Sequence, residues 1–247
     1  MNATRTVGIL GGMGPAAGAD FARLFVSACA AHMRRIGMEV SDQRFPEHWL
    51  AQVPVPDRST ALGAPELGAH QPLEPMLQAM GKLAALGATT VAVACNTAHA
   101  WHSDLQSRFP HVEVLHVARE VARTLAARGV RAVGLLATAG TYQAGLYDKA
   151  FADEGIECHV PLLHEREQLM HGIYSGVKVG NMPLAHSTFA SVAQALAERH
   201  GLQTLVLGCT EIPLALRSVT SMPGLNLVDP AELLAQALAE RAYRVVA

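Results

Sequence analysis

An α/β fold is expected for this chain, built as two pseudo-symmetric domains that each carry a mostly parallel sheet flanked by helices. Three observations predict it. Short buried strands alternate with helical stretches along the whole sequence, the pattern of parallel sheets covered on both faces. Two strand-and-turn segments occur twice, in the same order. Half of the 247 residues are hydrophobic against 16% charged, enough apolar surface for a core in each half.

The elements follow in order. Thr6-Val-Gly-Ile-Leu10 reads as a strand ended by Gly11, Gly12 and Gly14, and Pro15 suits the first turn of a helix, where its missing N–H costs nothing. Phe21, Leu24, Phe25 and Ala28 then recur at helical spacing. Met76, Leu77, Met80 and Leu83 mark a helix closed by Gly87, which feeds the strand Ala88–Ala94; Ala98, Trp101, Leu105 and Phe109 continue as a helix. Val117, Val121 and Leu125 mark a helix stopped by Gly129 before the strand Arg131–Ala137. Tyr142, Leu146, Tyr147 and Ala150 mark one further helix, and Ile156–Val160 a strand. A long helix is expected over Met182–Arg199, then the strand Thr204–Gly208 after Gly201. The last helix opens with Asp229-Pro-Ala-Glu232, an N-cap, a first-turn proline and a capping-box glutamate in register.

The repeat lies in the strands. TVGILGGMGP (6–15) pairs with RAVGLLATAGT (131–141), and TVAVACNTAHA (90–100) with TLVLGCTEIPL (204–214). Two domains are therefore expected, 1–115 plus 222–247 and 116–221, the C-terminal helix returning to the first. Ligands of such sheets sit beyond the carboxyl ends of the strands. Two facing domains would point Cys95 and Cys209 into one interdomain cleft, the expected active site.

Composition excludes several function classes. With 19 Lys+Arg against 21 Asp+Glu the formal net charge is −2, which argues against nucleic acid or a polybasic membrane surface as a partner. No apolar run reaches the roughly 18 residues of a membrane span, and the N-terminal apolar stretch is too short for a signal-peptide core. A cytoplasmic protein with reduced thiols is the expectation.

The four cysteines show no CxxC spacing. Cys29, inside an apolar helix, and Cys158, in a short strand, read as packing residues. Cys95 and Cys209 each end a buried strand where a helix begins. There, unpaired N–H groups and the positive dipole end favour a thiolate. Asn96 and Thr97 follow one cysteine and Thr210 the other, and with the backbone donors they make a seat for a carboxylate. Two such thiols suit inversion of a stereocentre: one as thiolate removes a Cα proton, the other as thiol returns one from behind. The carbanion-like state between the two steps needs electrostatic stabilisation.

At these residues the sequence resembles the aspartate/glutamate racemase family, cofactor-independent two-cysteine enzymes, and its aspartate racemases most of all. The matching strings are GGMGP (11–15), PDR (56–58), ACNTAHA (94–100), LLATAGT (135–141), GVKVGN (176–181) and LGCTEIPL (207–214). The resemblance implies an interdomain site, no pyridoxal phosphate, no metal, an amino-acid substrate and commonly a homodimer. It implies acid/base roles for Cys95 and Cys209, and α-carboxylate contacts from Asn96, Thr97, Thr138 and Thr210. It associates Arg58 and Lys178 with a side-chain carboxylate, and places Met13 in the turn lining the pocket. Gly18 departs from the threonine common among relatives, and 38–49 matches poorly, so no role is assigned there.

Other readings have specific requirements. His99 and His102 are spaced to share a metal on a helix, but no third ligand is evident. Glu211 is either a helix-start acid near the positive dipole or a residue that orients a proton-transfer group. Gly12-Met-Gly-Pro-Ala-Ala17 matches a dinucleotide fingerprint after a strand, yet a nicotinamide oxidoreductase needs an acid ending the second strand, and neither Glu39 nor Asp42 sits where one is expected. A non-catalytic binding protein leaves both thiols without a use. Maleate-isomerase-like chemistry uses one cysteine as nucleophile and leaves the paired thiols and two cations less well explained. The expected function is interconversion of L- and D-aspartate, with glutamate or a broader amino-acid set as the alternative.

Overall fold

Val7–Gly11 (β1) and Thr90–Val93 (β3) are buried at every residue, as strands with helices on both faces must be. The computed structural model describes residues 4–64, 71–216, 222 and 224–244. The chain divides into two units, one running to Glu120 and resuming at Ala231, the other Val121–Pro230.

In the first unit, β1 lies between β2 (His48–Gln52) and β3, and β3 pairs outward with β4 (Glu113–Val114), giving the parallel order β2-β1-β3-β4. Side chains alternate between the two faces. Val7, Ile9, Ala92 and Ala94 pack with Phe21 and Phe25 of α1 (Pro15–Arg35) and with Leu234 and Leu238 of α11 (Pro230–Ala242). Leu10, Val91, Val93 and Cys95 pack on the other face with Met76, Met80 and Leu83 of α3 (Leu73–Ala85) and Leu105 of α4 (His102–Arg108). Truncating a large, fully buried side chain such as Phe25 or Met80 to alanine would cost about 2–5 kcal/mol.

The second unit repeats the order as β6-β5-β7-β8, all parallel, from β5 (Ala132–Ala137), β6 (Glu157–His159), β7 (Thr204–Gly208) and β8 (Asn226–Val228). Its core joins Leu136, Leu205, Leu207 and Cys209 to Leu169 of α8 (Leu163–His171), Phe189 and Leu196 of α9 (Met182–His200) and Ile212 of α10 (Glu211–Leu216).

The repeat extends to the register. Gly8 opposite Val91 and Leu10 opposite Val93 recur as Gly134 opposite Leu205 and Leu136 opposite Leu207. Cys95 and Cys209 each stand two residues beyond the second pair. The glycine of each pair allows close approach: a Cβ on Gly8 would lie 3.0 Å from Val91 and 3.1 Å from Leu83, and one on Gly134 2.5 Å from Leu205 and 2.8 Å from Leu196. Both strands thus admit a helix from the same side.

Several boundaries differ from expectation. Residues 222–230 belong to the second unit, because β8 pairs with β7, and 116–120 stay with the first. β2, β4 and β8 carry no strong alternation, being short or half-exposed edge strands, and α2 (Arg58–Gly63) and α8 are short helices without a strong apolar stripe. The single helix expected around Tyr142 is two, α6 (Ala139–Gln143) and α7 (Leu146–Asp153), divided at Gly145 with φ +58°. α5 (Val117–Ala127) ends ahead of Gly129 as anticipated, where φ is +77°. Among the described residues no helix is long and apolar enough to cross a membrane.

Candidate active site

In the first unit the candidate residues gather beyond the carboxyl ends of β1 and β3. Met13 is buried and shares a core cluster with Cys95, Ala61 and Ala98. The α2 helix, capped by Asp57 accepting from Thr60 N at 2.9 Å, packs on the segment following Cys95. That segment, Thr97–Trp101, is a 3-10 helix running into α4, not the α-helix expected. Cys95, Asn96 and Thr97 are all buried.

Arg58 is buried and acts on the backbone. Its Nη1 donates to Val55 O (3.1 Å) and Pro56 O (3.0 Å), and its Nη2 to Met13 O (2.5 Å). A planar fork satisfies several acceptors at fixed angles, which an ammonium cannot do. Arg58 therefore pins the Met13 turn to the turn before α2, a role beyond the carboxylate contact implied by resemblance.

His99 and His102 are structural in this unit. His99 Nδ1 donates to Cys95 O at 2.9 Å and His102 Nε2 to Val114 O at 2.7 Å. Both rings lie near His116, with centroids 5.4 and 4.8 Å away. Burial, followed by the neighbouring His102 charge, holds His99 down to about 4. Burial and then His99 and His102 hold His116 down to about 3. Neutral rings locked on carbonyls explain the His99/His102 spacing, and among the described residues no His/Cys/Asp/Glu cluster could hold a metal ion.

The glycine turn also bears on the nucleotide alternative. β2 ends at Gln52, so no acid closes the second strand; Gln52 Nε2 instead donates to Pro15 O at 2.8 Å. Its Oε1 lies 2.2 Å from where a Cβ on Gly18 would stand. The departure at Gly18 is thereby explained: the glycine leaves room for the Gln52 amide against the first turn of α1.

In the second unit, Thr138 follows β5 and Cys209-Thr210 follow β7, on strand ends paired at Ala137 and Gly208. Thr138 caps α6, its Oγ1 accepting from Thr141 N at 3.1 Å. Cys209 is buried and its Sγ donates to Glu211 Oε2 at 3.0 Å; Thr210 Oγ1 donates to the same oxygen at 3.1 Å. Glu211 is thus both the first residue of α10 and a direct partner of the thiol. Lys178 is exposed on the short turn Val177–Val179, which packs against α10, with Nζ 4.3 Å above the Tyr174 ring. Tyr142 has a role its helical spacing did not reveal. β6 pairs β5 only as far as Gly134, and the Tyr142 hydroxyl takes over beyond, accepting from Ala137 N (2.8 Å) and donating to Leu135 O (2.9 Å).

Of the other two cysteines, Cys29 packs in the core of the first unit and Cys158 is half-buried on the edge strand β6. Burial pushes the thiols of Cys29 and Cys158 up to about 12, so neither forms a thiolate at neutral pH.

The fold and site are those of a duplicated parallel α/β protein with a cysteine at the same strand end in each copy. The chain belongs to the Asp/Glu/hydantoin racemase family, whose profile matches residues 10–238. Among solved structures it is similar to the aspartate racemase of Picrophilus torridus, at 28% identity and TM-score 0.77, over 96% of this chain and 94% of that one. An aspartate racemase homologue from Pyrococcus horikoshii shares 25% identity and a TM-score of 0.71, over 99% and 100% of the two chains. A glutamate racemase of Thermus thermophilus is 33% identical over 171 residues, 64% of this chain and 57% of that protein.

Proposed function

We propose that this protein is a cofactor-independent racemase that interconverts L- and D-aspartate through Cys95 and Cys209. The observation that carries the reading is the duplication of a strand-end thiol at the same register position in both units. One thiol can be a packing accident; two at equivalent sites with a polar residue after each fit a paired chemical role.

The reaction breaks and remakes one C–H bond. A thiolate takes the Cα proton from one face and the other thiol delivers a proton to the opposite face, so each cysteine ends in the other's starting state. In this reading Asn96, Thr97 and Thr138, with Thr210 through its backbone N–H and nearby backbone N–H groups, hold the α-carboxylate and stabilise the developing negative charge. Lys178 attracts the side-chain carboxylate, Arg58 adds positive charge while fixing the Met13 turn, and Met13 lines the pocket. The aspartate preference is supported by the likeness to aspartate racemases over nearly the full chain. Glutamate is the second reading, favoured by the 33% identity to a glutamate racemase.

Incubation with L-aspartate in D₂O tests the reading. Decay of optical rotation with deuterium entering Cα is expected, and slower change with glutamate. Absence of Cα exchange with every L- and D-amino acid tried would refute it.

A further inference from the structure

We propose that Glu211 is the positioning residue of the second thiol: its carboxylate holds Cys209 in the protonated form, which makes Cys209 the resting proton donor and Cys95 the resting base. The role given to Cys95 rests on the racemase reading; the protonation of Cys209 does not.

The geometry is specific. Oε2 of the buried Glu211 receives two donors, Cys209 Sγ at 3.0 Å and Thr210 Oγ1 at 3.1 Å. Both groups lie within hydrogen-bond distance of one oxygen, an arrangement that an ionised carboxylate satisfies by accepting from the thiol and the hydroxyl together. A carboxyl is intrinsically a much stronger acid than a thiol, so a proton placed between the two belongs on sulfur. The reverse arrangement, with thiolate and carboxylic acid, would ask Thr210 to donate to a protonated oxygen, a poor acceptor. Glu211 stands on the first residue of α10, two residues after Cys209, so a short piece of backbone sets the Sγ–Oε2 contact.

The consequence is a built-in asymmetry between the two thiols. When Cys209 gives its proton to the substrate carbanion, the S–H bond breaks, the Cα–H bond forms and the electron pair stays on sulfur. The new thiolate then stands beside the Glu211 carboxylate, and like charges at this distance repel strongly. Return to rest is favoured: Cys209 takes a proton from solvent water while Cys95 releases the one it removed from substrate. Glu211 touches neither substrate nor product in this sequence and acts only through sulfur.

The test reads thiolate directly by its ultraviolet absorbance in a Cys95→Ser protein at neutral pH. Cys29 and Cys158, both pushed up to about 12, contribute nothing there, so the signal belongs to Cys209. Little thiolate is expected with Glu211 present. Glu211→Gln removes the charge and keeps an acceptor, and the thiolate fraction should rise at least about tenfold. Glu211→Asp keeps the charge and should stay within about twofold of the parent. An unchanged or smaller thiolate signal in the Gln variant would overturn the proposal. So would substantial thiolate in Cys95→Ser alone, a measurement that needs no variant of Glu211 to fold. In the otherwise native protein, Glu211→Gln should lower kcat with little change in KM. If no racemisation is found in the native protein, the function is wrong while the absorbance still decides the Glu211–Cys209 pair.

Discussion

Replacing Arg58 by alanine should destabilise the first unit by about 3–5 kcal/mol, a magnitude that comes from its three backbone acceptors. Nη1 serves Val55 O and Pro56 O, and Nη2 serves Met13 O. A hydrogen bond from a charged donor contributes roughly 1.5–3 kcal/mol, and a buried acceptor left without its donor loses that contribution. The two bonds sharing Nη1 count together as little more than one, so the sum is about two charge-assisted bonds. Arg58→Lys supplies a point donor that reaches one of the carbonyls, and should recover roughly a third of the loss. Urea unfolding followed by tryptophan fluorescence is the assay, because the two tryptophans, Trp49 and Trp101, both lie in the first unit. A loss below about 1 kcal/mol for alanine, or a lysine variant as stable as the parent, would refute the turn-pinning argument. Activity separates the second role: a pure substrate clamp predicts unchanged stability and selective loss with diacids, whereas turn-pinning predicts loss with every substrate.

Four further outcomes are expected. Alanine at Cys95 or at Cys209 should abolish racemisation with circular dichroism unchanged, while Cys29→Ala keeps activity; full activity in either of the first two would refute the two-base mechanism. Stability should fall on acidification below about pH 6.5, because His99 and His116 are held down to about 4 and about 3 in the fold. The unfolded chain then binds more protons than the native one. The His99 contribution is fully present above 6.5 and is lost towards pH 4 at about 1.4 kcal/mol per unit; a His99→Asn protein with the same slope in urea titrations at several pH values would contradict it. Tyr142→Phe leaves Ala137 N and Leu135 O without the hydroxyl and should cost about 2–3 kcal/mol, so a loss under about 0.5 kcal/mol in urea would deny the phenol its bridging role. Gly18→Thr should be destabilising alone and largely relieved when combined with Gln52→Ala, a coupling that additive melting-temperature shifts would disprove.

The linear order of residues determines much of this protein. Parallel α/β units follow from buried strands alternating with helices, since such runs have no solvated face and must be covered twice. The repeat follows too, because TVGIL and RAVGLL, or TVAVAC and TLVLGC, state the same strand and the same end point. With them comes the selection of Cys95 and Cys209, each two residues past an equivalent pair. Cys29 is equally legible as a packing residue, since apolar neighbours along its helix already describe its surroundings.

What tertiary structure alone decides are the contacts that join residues distant in sequence, or that depend on where a side chain turns. β2, β4 and β8 are strands because a buried neighbour offers them a ladder, and their own composition hardly favours it. Arg58 is legible in the sequence only as a carboxylate contact implied by resemblance, until the fold brings the Met13 carbonyl to its guanidinium. Gln52 explains Gly18 only after β2 is laid beside β1. His99 and His102 have metal-like spacing, yet their ring nitrogens meet backbone carbonyls. Glu211 is two residues from Cys209, and sequence leaves its side chain free to cap the helix or to meet the sulfur. Periodicity reports which face is apolar; it cannot report which polar atoms converge, because a hydrogen bond depends on distances and angles that only the folded backbone sets.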